Sequence, residues 1–160
     1  MKTKWLTARE MRAWRAFAEV HGQLFTALEA DLAPHGLSFG DYEVLVVLSE
    51  APKHQLRMCD LSDTLGLSPS GLTRRLDGLV RAGHVQRTPS SVDRRVMLAT
   101  VTPAGLKAMR VAAGDHVASV RRHLVDRLTP EQLDVLGDIF IAVGTGLGRI
   151  PSTAAAAAVA

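Results

Sequence analysis

The sequence contains a single cysteine, Cys59, among its 160 residues. No disulfide can therefore form within the chain, and a reducing cytoplasm is the expected compartment. No apolar run approaches the roughly 20 residues that cross a bilayer. The opening stretch MKTKWLTAREMR also lacks the hydrophobic core of a signal peptide. We expect a cytoplasmic protein that does not associate with membranes.

The motifs of enzymes and metal sites are absent as well. The chain has no paired carboxylates, nucleophile elbow, phosphate-binding loop or zinc motif. The nearest helical pair of histidines, His116 and His123, is separated by about 10 Å along a helix, so that one ion cannot bind both. We therefore expect no metal, no cofactor and no enzymatic activity. The lone Cys59 is expected to be a small packing residue and not an oxidation sensor.

The chain does contain enough apolar sequence for a core, and its charge is unevenly distributed. Apolar residues make up 47% of the chain and charged residues 22%, which suits a single domain over 1–160 with a flexible, alanine-rich tail at 151–160. The net charge is −2 over 1–67, +4 over 68–95 and +1 over 96–160. The basic residues of the central stretch are all arginines, the side chain best shaped to contact phosphates and guanine edges.

Capping patterns divide the chain into six helices. Five of them follow a Ser or Thr that can accept the first free N–H groups: Thr7, Ser38, Ser68, Thr102 and Thr129. The third helix, over Cys59–Leu65, ends at Gly66. Apolar stripes run through the helices predicted over approximately 7–33 and 103–148, and those of the fifth helix recur from Leu106 to Leu128 in a near-heptad pattern. Such helices are typical of packing across a two-fold axis.

The fourth helix, from Ser68 to about Ala82, has two distinct faces. One side carries Leu72, Leu76, Leu79 and Val80, and the other carries Ser70, Arg74, Asp77 and Arg81. Small residues at the start of the helix allow an anion to approach the positive end of the helix dipole. One face is therefore expected to pack, and the other is free to contact DNA phosphates.

After the fourth helix the pattern changes from helical to alternating. His84–Arg87 and Arg95–Val101 are predicted strands joined by a polar turn, which makes a hairpin with arginines near its tip. A short extended piece, Gln55–Arg57, precedes the third helix. Two helices joined by a Gly-containing turn and followed by a basic hairpin describe a winged helix-turn-helix, here over approximately 38–101. The predicted fold is mainly α, with about six helices and a small β-hairpin wing in an intertwined homodimer.

These elements also resemble a known family. The stretch LRMCDLSDTLGLSPSGLTRRLDGLVRAGHVQR, the wing sequence Asp93-Arg94-Arg95 and the helix start VTPAG at Val101–Gly105 are similar to the MarR family of bacterial transcription regulators, over roughly residues 5–148. The resemblance implies a dimer that binds double-stranded DNA at a pseudo-palindromic operator, with repression as its default role.

The resemblance also implies which residues contact DNA. In the recognition helix these are Ser68, Ser70, Thr73, Arg74 and Arg75, with Arg74 reading a base edge. In the wing, Arg95 would enter the minor groove, Asp93 would orient it and Arg94 would contact phosphate.

Other charged residues near the recognition helix have alternative roles. Arg75 lies about 60° from the apolar face, so it could instead cover leucines or pair with an acid. Arg81 and Arg87 are expected to contact phosphate or solvent. Asp77 is an acid on a surface meant for DNA, and we expect it to pair with an arginine.

Aromatic and histidine side chains form a second candidate site. Trp14, Phe17 and His21 share a face of the first helix, and a stripe of this kind is usually core. In the MarR family, however, small aromatic or phenolic effectors often bind where the first, second and fifth helices meet the DNA-binding lobe. The resemblance therefore implies an effector site formed by Trp14, His21, Tyr42 and His116.

Two other functions remain open. A helical enzyme or small-molecule-binding protein could use the region around Trp14, His21 and Tyr42, and a winged-helix protein could bind another protein instead of DNA. The concentration of arginines in residues 68–95 favours DNA. The predicted function is a sequence-specific transcriptional regulator, a repressor relieved by a small aromatic effector.

Overall fold

The computed structural model describes residues 3–148, and its helices and strands follow the predicted order. The helices are α1 (Ala8–Leu32), α2 (Phe39–Glu50), α3 (Met58–Leu65), α4 (Pro69–Arg81), α5 (Pro103–His123) and α6 (Pro130–Gly146), and the strands are β1 (Gln55–Arg57), β2 (Val85–Pro89) and β3 (Met97–Val101). The predicted winged helix-turn-helix fold is confirmed. The chain divides into two compact units, one ending at Ser119 and the other beginning at Val120. The tail predicted at 151–160 lies outside the described residues.

The predicted caps start the helices. The side chains of Thr7, Ser38 and Thr129 each accept an N–H from the third helical residue, whose own side chain bonds back to the cap in a capping box. Ser68 Oγ accepts the Gly71 N–H at 3.1 Å, and Thr102 Oγ1 accepts the Gly105 N–H at 3.1 Å. Each cap satisfies a backbone donor that the helix leaves free, and contributes about 1 kcal/mol.

The predicted hairpin is part of a three-stranded antiparallel sheet. Its strand order is β1-β3-β2, because the extended piece Gln55–Arg57 pairs with β3. The wing strands also start later than predicted, at Val85 and Met97. Arg95 lies outside β3 because its backbone N–H donates to the Asp93 carboxylate at 3.0 Å and not to a strand.

The fifth helix is shorter than its apolar pattern predicted. α5 ends at His123, and Leu124 has a non-helical backbone (φ −131°, ψ −64°). A short 3₁₀ turn, Val125–Arg127, then leads toward α6. Leu124 and Leu128 therefore continue the heptad spacing in the sequence without lying on the helix.

The core of the first unit packs α2, α3 and α4 against the sheet. Its most deeply buried side chains include Leu32, Val44, Leu45, Leu48, Leu61, Leu72, Leu76, Val85 and Ala99. Burying a leucine of this kind contributes about 1.5–3 kcal/mol. The buried leucines of α4, joined by Leu79, determine that the opposite face, with Ser70 and Arg74, points outward.

Cys59 corrects one expectation. It is exposed and not a packing residue, and its Sγ donates to Asp60 Oδ1 at 3.4 Å. Leu61 and Ser62 are the buried residues of α3, whereas Cys59 is on the exposed side of the helix.

Candidate nucleic-acid interface

A sharp turn between α3 and α4 presents the recognition helix. Gly66 has a positive φ of 66°, a conformation that favours glycine, and the Leu67 N–H reaches back to the Ser62 carbonyl at 2.9 Å. The chain then enters α4 through the Ser68 cap. This local geometry forms the helix-turn-helix that the sequence predicted.

The outer face of α4 carries most of the side chains predicted to contact DNA. Ser68, Ser70, Thr73 and Arg74 are all exposed. Thr73 Oγ1 donates to the Pro69 carbonyl at 2.9 Å, and the Ser68 and Ser70 hydroxyls lie 3.2 Å apart. In the described part of the chain the Arg74 guanidinium has no ion-pair partner, so its donors are available to a ligand.

Arg75 points toward α2. Its Nη1 lies 3.8 Å from Glu43 Oε2, and 32% of its side chain is exposed. The guanidinium rests against Gly40, in space that a Cβ at that position would occupy. Burial raises the pKa of Glu43, and the Arg75 charge opposes that rise. Arg75 thus adopts the acid-paired arrangement that the sequence left open beside DNA contact.

At the wing tip, Asp93 holds Arg95 through several hydrogen bonds. The Asp93 carboxylate accepts three bonds from Arg95: from its backbone N–H at 3.0 Å, from Nε at 3.1 Å and from Nη2 at 3.1 Å. These bonds lower the pKa of Asp93. The Arg95 side chain is still 90% exposed, and Arg94 beside it is exposed. Asp93 therefore orders Arg95 without covering it.

A second ion pair connects α4 to the wing. Arg87 Nη2 donates to Asp77 Oδ1 at 2.6 Å, and Arg81 Nε donates to the Asp77 backbone carbonyl at 3.2 Å. Asp77 pairs with an arginine, as the sequence predicted. Arg87 is therefore not a freely solvated charge, which was one of the two roles expected for it. It lies on the same face of β2 as the buried Val85, and the alternation of side chains along a strand could have indicated this from the sequence.

The residues predicted for an effector site fall into two sets of ring contacts. On α1, Phe17 lies 6.1 Å from Trp14 and stacks on His21 at 5.2 Å. Tyr42 and His116 pack together at 4.5 Å between ring centroids. Burial raises the pKa of Tyr42 and lowers that of His116, which favours the neutral form of both side chains.

An open groove of about 790 Å³ lies in the first unit, between α1, α2 and the start of α4. Its walls include Phe25, Phe39, Glu43 and Arg75. Phe25 and Phe39 meet edge to face at 5.0 Å, and Phe39 lies 6.1 Å from His116. Phe25 belongs to the apolar spacing of α1, and no motif in the sequence marked Phe25 or Phe39 as part of a groove. Tyr42 and His116 are not among the residues that line the groove.

The described residues contain no group of three or more His, Cys, Asp or Glu side chains that could hold a metal ion. Over the same residues, no helix is both long enough and apolar enough to cross a bilayer.

The helix-turn-helix, the arginine-tipped wing and the outward face of α4 define a winged-helix protein of the DNA-binding class. The MarR family model matches residues 35–96. AbsC, a MarR family transcriptional regulator from Streptomyces coelicolor, is 42% identical, with a TM-score of 0.86 over 91% of this chain and 98% of AbsC. The chain belongs to the MarR family of transcriptional regulators; it is a regulator and not an enzyme.

Two further relatives have been solved with ligands. Sco3205, a MarR family regulator from Streptomyces coelicolor in complex with DNA, is 35% identical, with a TM-score of 0.87 over 91% of this chain and 92% of Sco3205. CouR from Rhodococcus jostii RHA1, bound to p-coumaroyl-CoA, is 26% identical, with a TM-score of 0.71 over 80% of this chain and 88% of CouR.

Proposed function

We propose that two copies of this chain bind a pseudo-palindromic operator in the cytoplasm and repress transcription. The observation that carries the proposal is the free, exposed Arg74 on the outer face of α4, accompanied by the ordered Arg95 at the wing tip. The first suits base edges in the major groove, and the second suits the narrow minor groove beside it. The DNA complex of Sco3205 supports this use of the fold.

Exposed apolar side chains support the homodimer. α6 contains no buried residue, although Val135, Ile139, Phe140 and Val143 are all large and apolar. On α1, Trp14, Phe17 and Val20 are exposed as well. Apolar surface of this extent marks an interface, and a two-fold axis lets one patch cover its own copy. Two recognition helices would then read half-sites about one DNA turn apart.

The groove between α1, α2 and α4 supports an effector of the aromatic acid class. Phe25 and Phe39 offer ring surfaces, and Arg75 offers a cation to a carboxylate or phenolate. CouR binds an aromatic acyl thioester, which is consistent with this chemistry. Trp14, His21, Tyr42 and His116 remain candidates for effector contact, and His116 lies 6.1 Å from Phe39 in the groove wall. Effector binding would bias the dimer toward a spacing of recognition helices that fits the operator poorly.

Selection of bound fragments from random DNA tests the DNA-binding proposal directly. The parent should enrich a two-fold symmetric sequence, and Arg74→Ala should enrich a less specific one. A matched control is Arg12→Ala, which removes an exposed arginine of α1 outside the proposed surface. A parent protein that enriches no sequence would refute the proposal.

A reporter gene behind the selected operator distinguishes repression from activation. Expression should fall when the protein is supplied and return when an aromatic acid is added. Phe25→Ala should keep repression and lose the response to the acid, because Phe25 lines the groove and is absent from the DNA-facing surface. An unchanged response would place the effector elsewhere.

A further inference from the structure

We propose that the Asp77–Arg87 ion pair is a positioning device that sets the rotation of α4 relative to the wing, and thereby the bases that Arg74 reads. The proposal rests on the proposed DNA-binding function. It assigns Asp77 and Arg87 a part in sequence preference, although neither would touch a base.

Asp77 lies on the reading face of α4. It follows Arg74 by three residues, so the two side chains are neighbours one turn apart on the same face. The Asp77 side chain is 47% exposed, and an unpaired carboxylate there would repel DNA phosphates. Arg87 Nη2 lies 2.6 Å from Asp77 Oδ1 and neutralises the charge of that carboxylate.

Arg87 approaches from the sheet. On β2 it follows the buried Val85 by two residues and pairs in register with the buried Ala99 of β3. Its side chain therefore leaves the inner face of the sheet, where only 27% of it is exposed. The pair thus connects a strand of the wing to the middle of the recognition helix.

The leucine contacts of α4 do not by themselves include a directional bond. Leu72, Leu76 and Leu79 hold the helix against the core through apolar contacts, which have little directional preference. A charged hydrogen bond is short and directional. The Asp77–Arg87 pair therefore supplies the directional contact between α4 and the wing.

A small rotation is enough to matter. A side chain about 6 Å from the helix axis moves by about 1 Å when the helix rotates by about 10°. Hydrogen bonds to base edges tolerate only about half an ångström in donor–acceptor distance. Phosphate contacts depend mainly on charge and tolerate the shift. Loss of the pair should therefore reduce sequence preference more than general DNA affinity.

The test compares Asp77→Asn, Arg87→Gln and the double variant in binding to operator and non-operator DNA. Each single variant should lower the ratio of operator to non-operator affinity by about tenfold, and the double variant should be no worse. The double variant removes one charge of each sign, so its salt dependence on non-operator DNA should stay at the parent value. Asp126→Asn is the control, because it removes an Arg121 ion pair of the same 2.6 Å length outside the helix-turn-helix.

Fragment selection gives a readout that a loss of stability would not change. Partial unfolding lowers the amount of bound DNA, but the folded fraction still selects the parent sequence. Asp77→Asn should lose preference at the base positions that Arg74→Ala loses, and combining the two changes should add no further loss at those positions.

Two results would overturn the proposal. If Arg87 contacts phosphate, Arg87→Gln lowers the salt slope by about two units for a dimer, while Asp77→Asn removes a repulsive charge and tightens binding to both DNAs. If both variants select the parent sequence with unchanged preference, the pair does not position α4. In either case the parent still selects its operator, which separates this failure from failure of the proposed function.

Discussion

Removing the wing arginine should change the salt dependence of DNA binding. The Arg95 side chain is 90% exposed and is held by the Asp93 carboxylate in three hydrogen bonds. If each protomer places one Arg95 against phosphates in the minor groove, Arg95→Ala removes two phosphate contacts per dimer. The slope of log affinity against log salt should then become shallower by about 1.8 units, from about 0.9 per contact.

That slope corresponds to a measurable difference in affinity. Between about 50 and 200 mM salt, the parent should lose about twelvefold more affinity than Arg95→Ala, on operator and non-operator DNA alike. The minor groove presents a nearly degenerate hydrogen-bond pattern, so sequence preference should change little. Fluorescence anisotropy titrations at several salt concentrations measure both quantities.

Asp93→Ala separates the charge from its orientation. The Arg95 cation remains, so the salt slope should stay closer to that of the parent. Affinity should fall because the Arg95 side chain is no longer held in place, but by less than in Arg95→Ala. Arg12→Ala serves again as an exposed arginine outside the proposed surface. The reasoning is refuted if Arg95→Ala keeps the parent slope on both DNAs, and Arg94 would then be the wing residue to test.

Four further predictions concern base recognition by Arg74, the stability of the core, assembly of the dimer and the pH dependence of stability. Arg74→Ala should weaken operator binding by about 1–3 kcal/mol with little effect on non-operator DNA, as measured by competition binding. Leu76→Ala, at a fully buried position, should reduce the free energy of urea unfolding by about 2–5 kcal/mol, because it leaves a cavity in the core; a loss below 1 kcal/mol would contradict that packing. Ile139→Asp should shift sedimentation from dimer toward monomer, because it places a charge in the proposed interface, whereas Asp138→Asn on the same helix should not. Because burial lowers the pKa of His116 below the ordinary 6.5, the unfolded chain binds a proton that the folded chain resists; stability should therefore fall as pH drops below about 6.5, and His116→Gln should flatten that dependence in thermal melts.

The order of the helices, their capping residues and the two faces of α4 could be predicted from the sequence. Each depends on neighbours within about one helical turn or one strand pair. Thr7 and Glu10 interact across three residues, and the leucines of α4 share a face through helical periodicity alone. The Asp93–Arg95 contact is equally local, and the wing sequence Asp93-Arg94-Arg95 predicted it.

The boundaries that failed depend on competing local bonds. α5 ends at His123, although the heptad pattern continues to Leu128, because the turn at Val125–Arg127 forms i to i+3 hydrogen bonds instead. Apolar periodicity indicates which side chains point in the same direction. It does not indicate whether the backbone forms i to i+4 or i to i+3 hydrogen bonds.

The partners of Arg75 and Arg87 were decided only by the tertiary structure. Helical geometry left Arg75 between DNA and an acid, and the packing of α4 on α2 brings it to Glu43 and the bare backbone of Gly40. Arg87 meets Asp77 for the same kind of reason, through the packing of β2 on α4. A repeating pattern determines the side of a helix or strand on which a residue lies, whereas the packing of separate elements determines which residue faces it. Because Arg75 and Arg87 pair with carboxylates in this way, Arg74 is the arginine of α4 left free on the outer face.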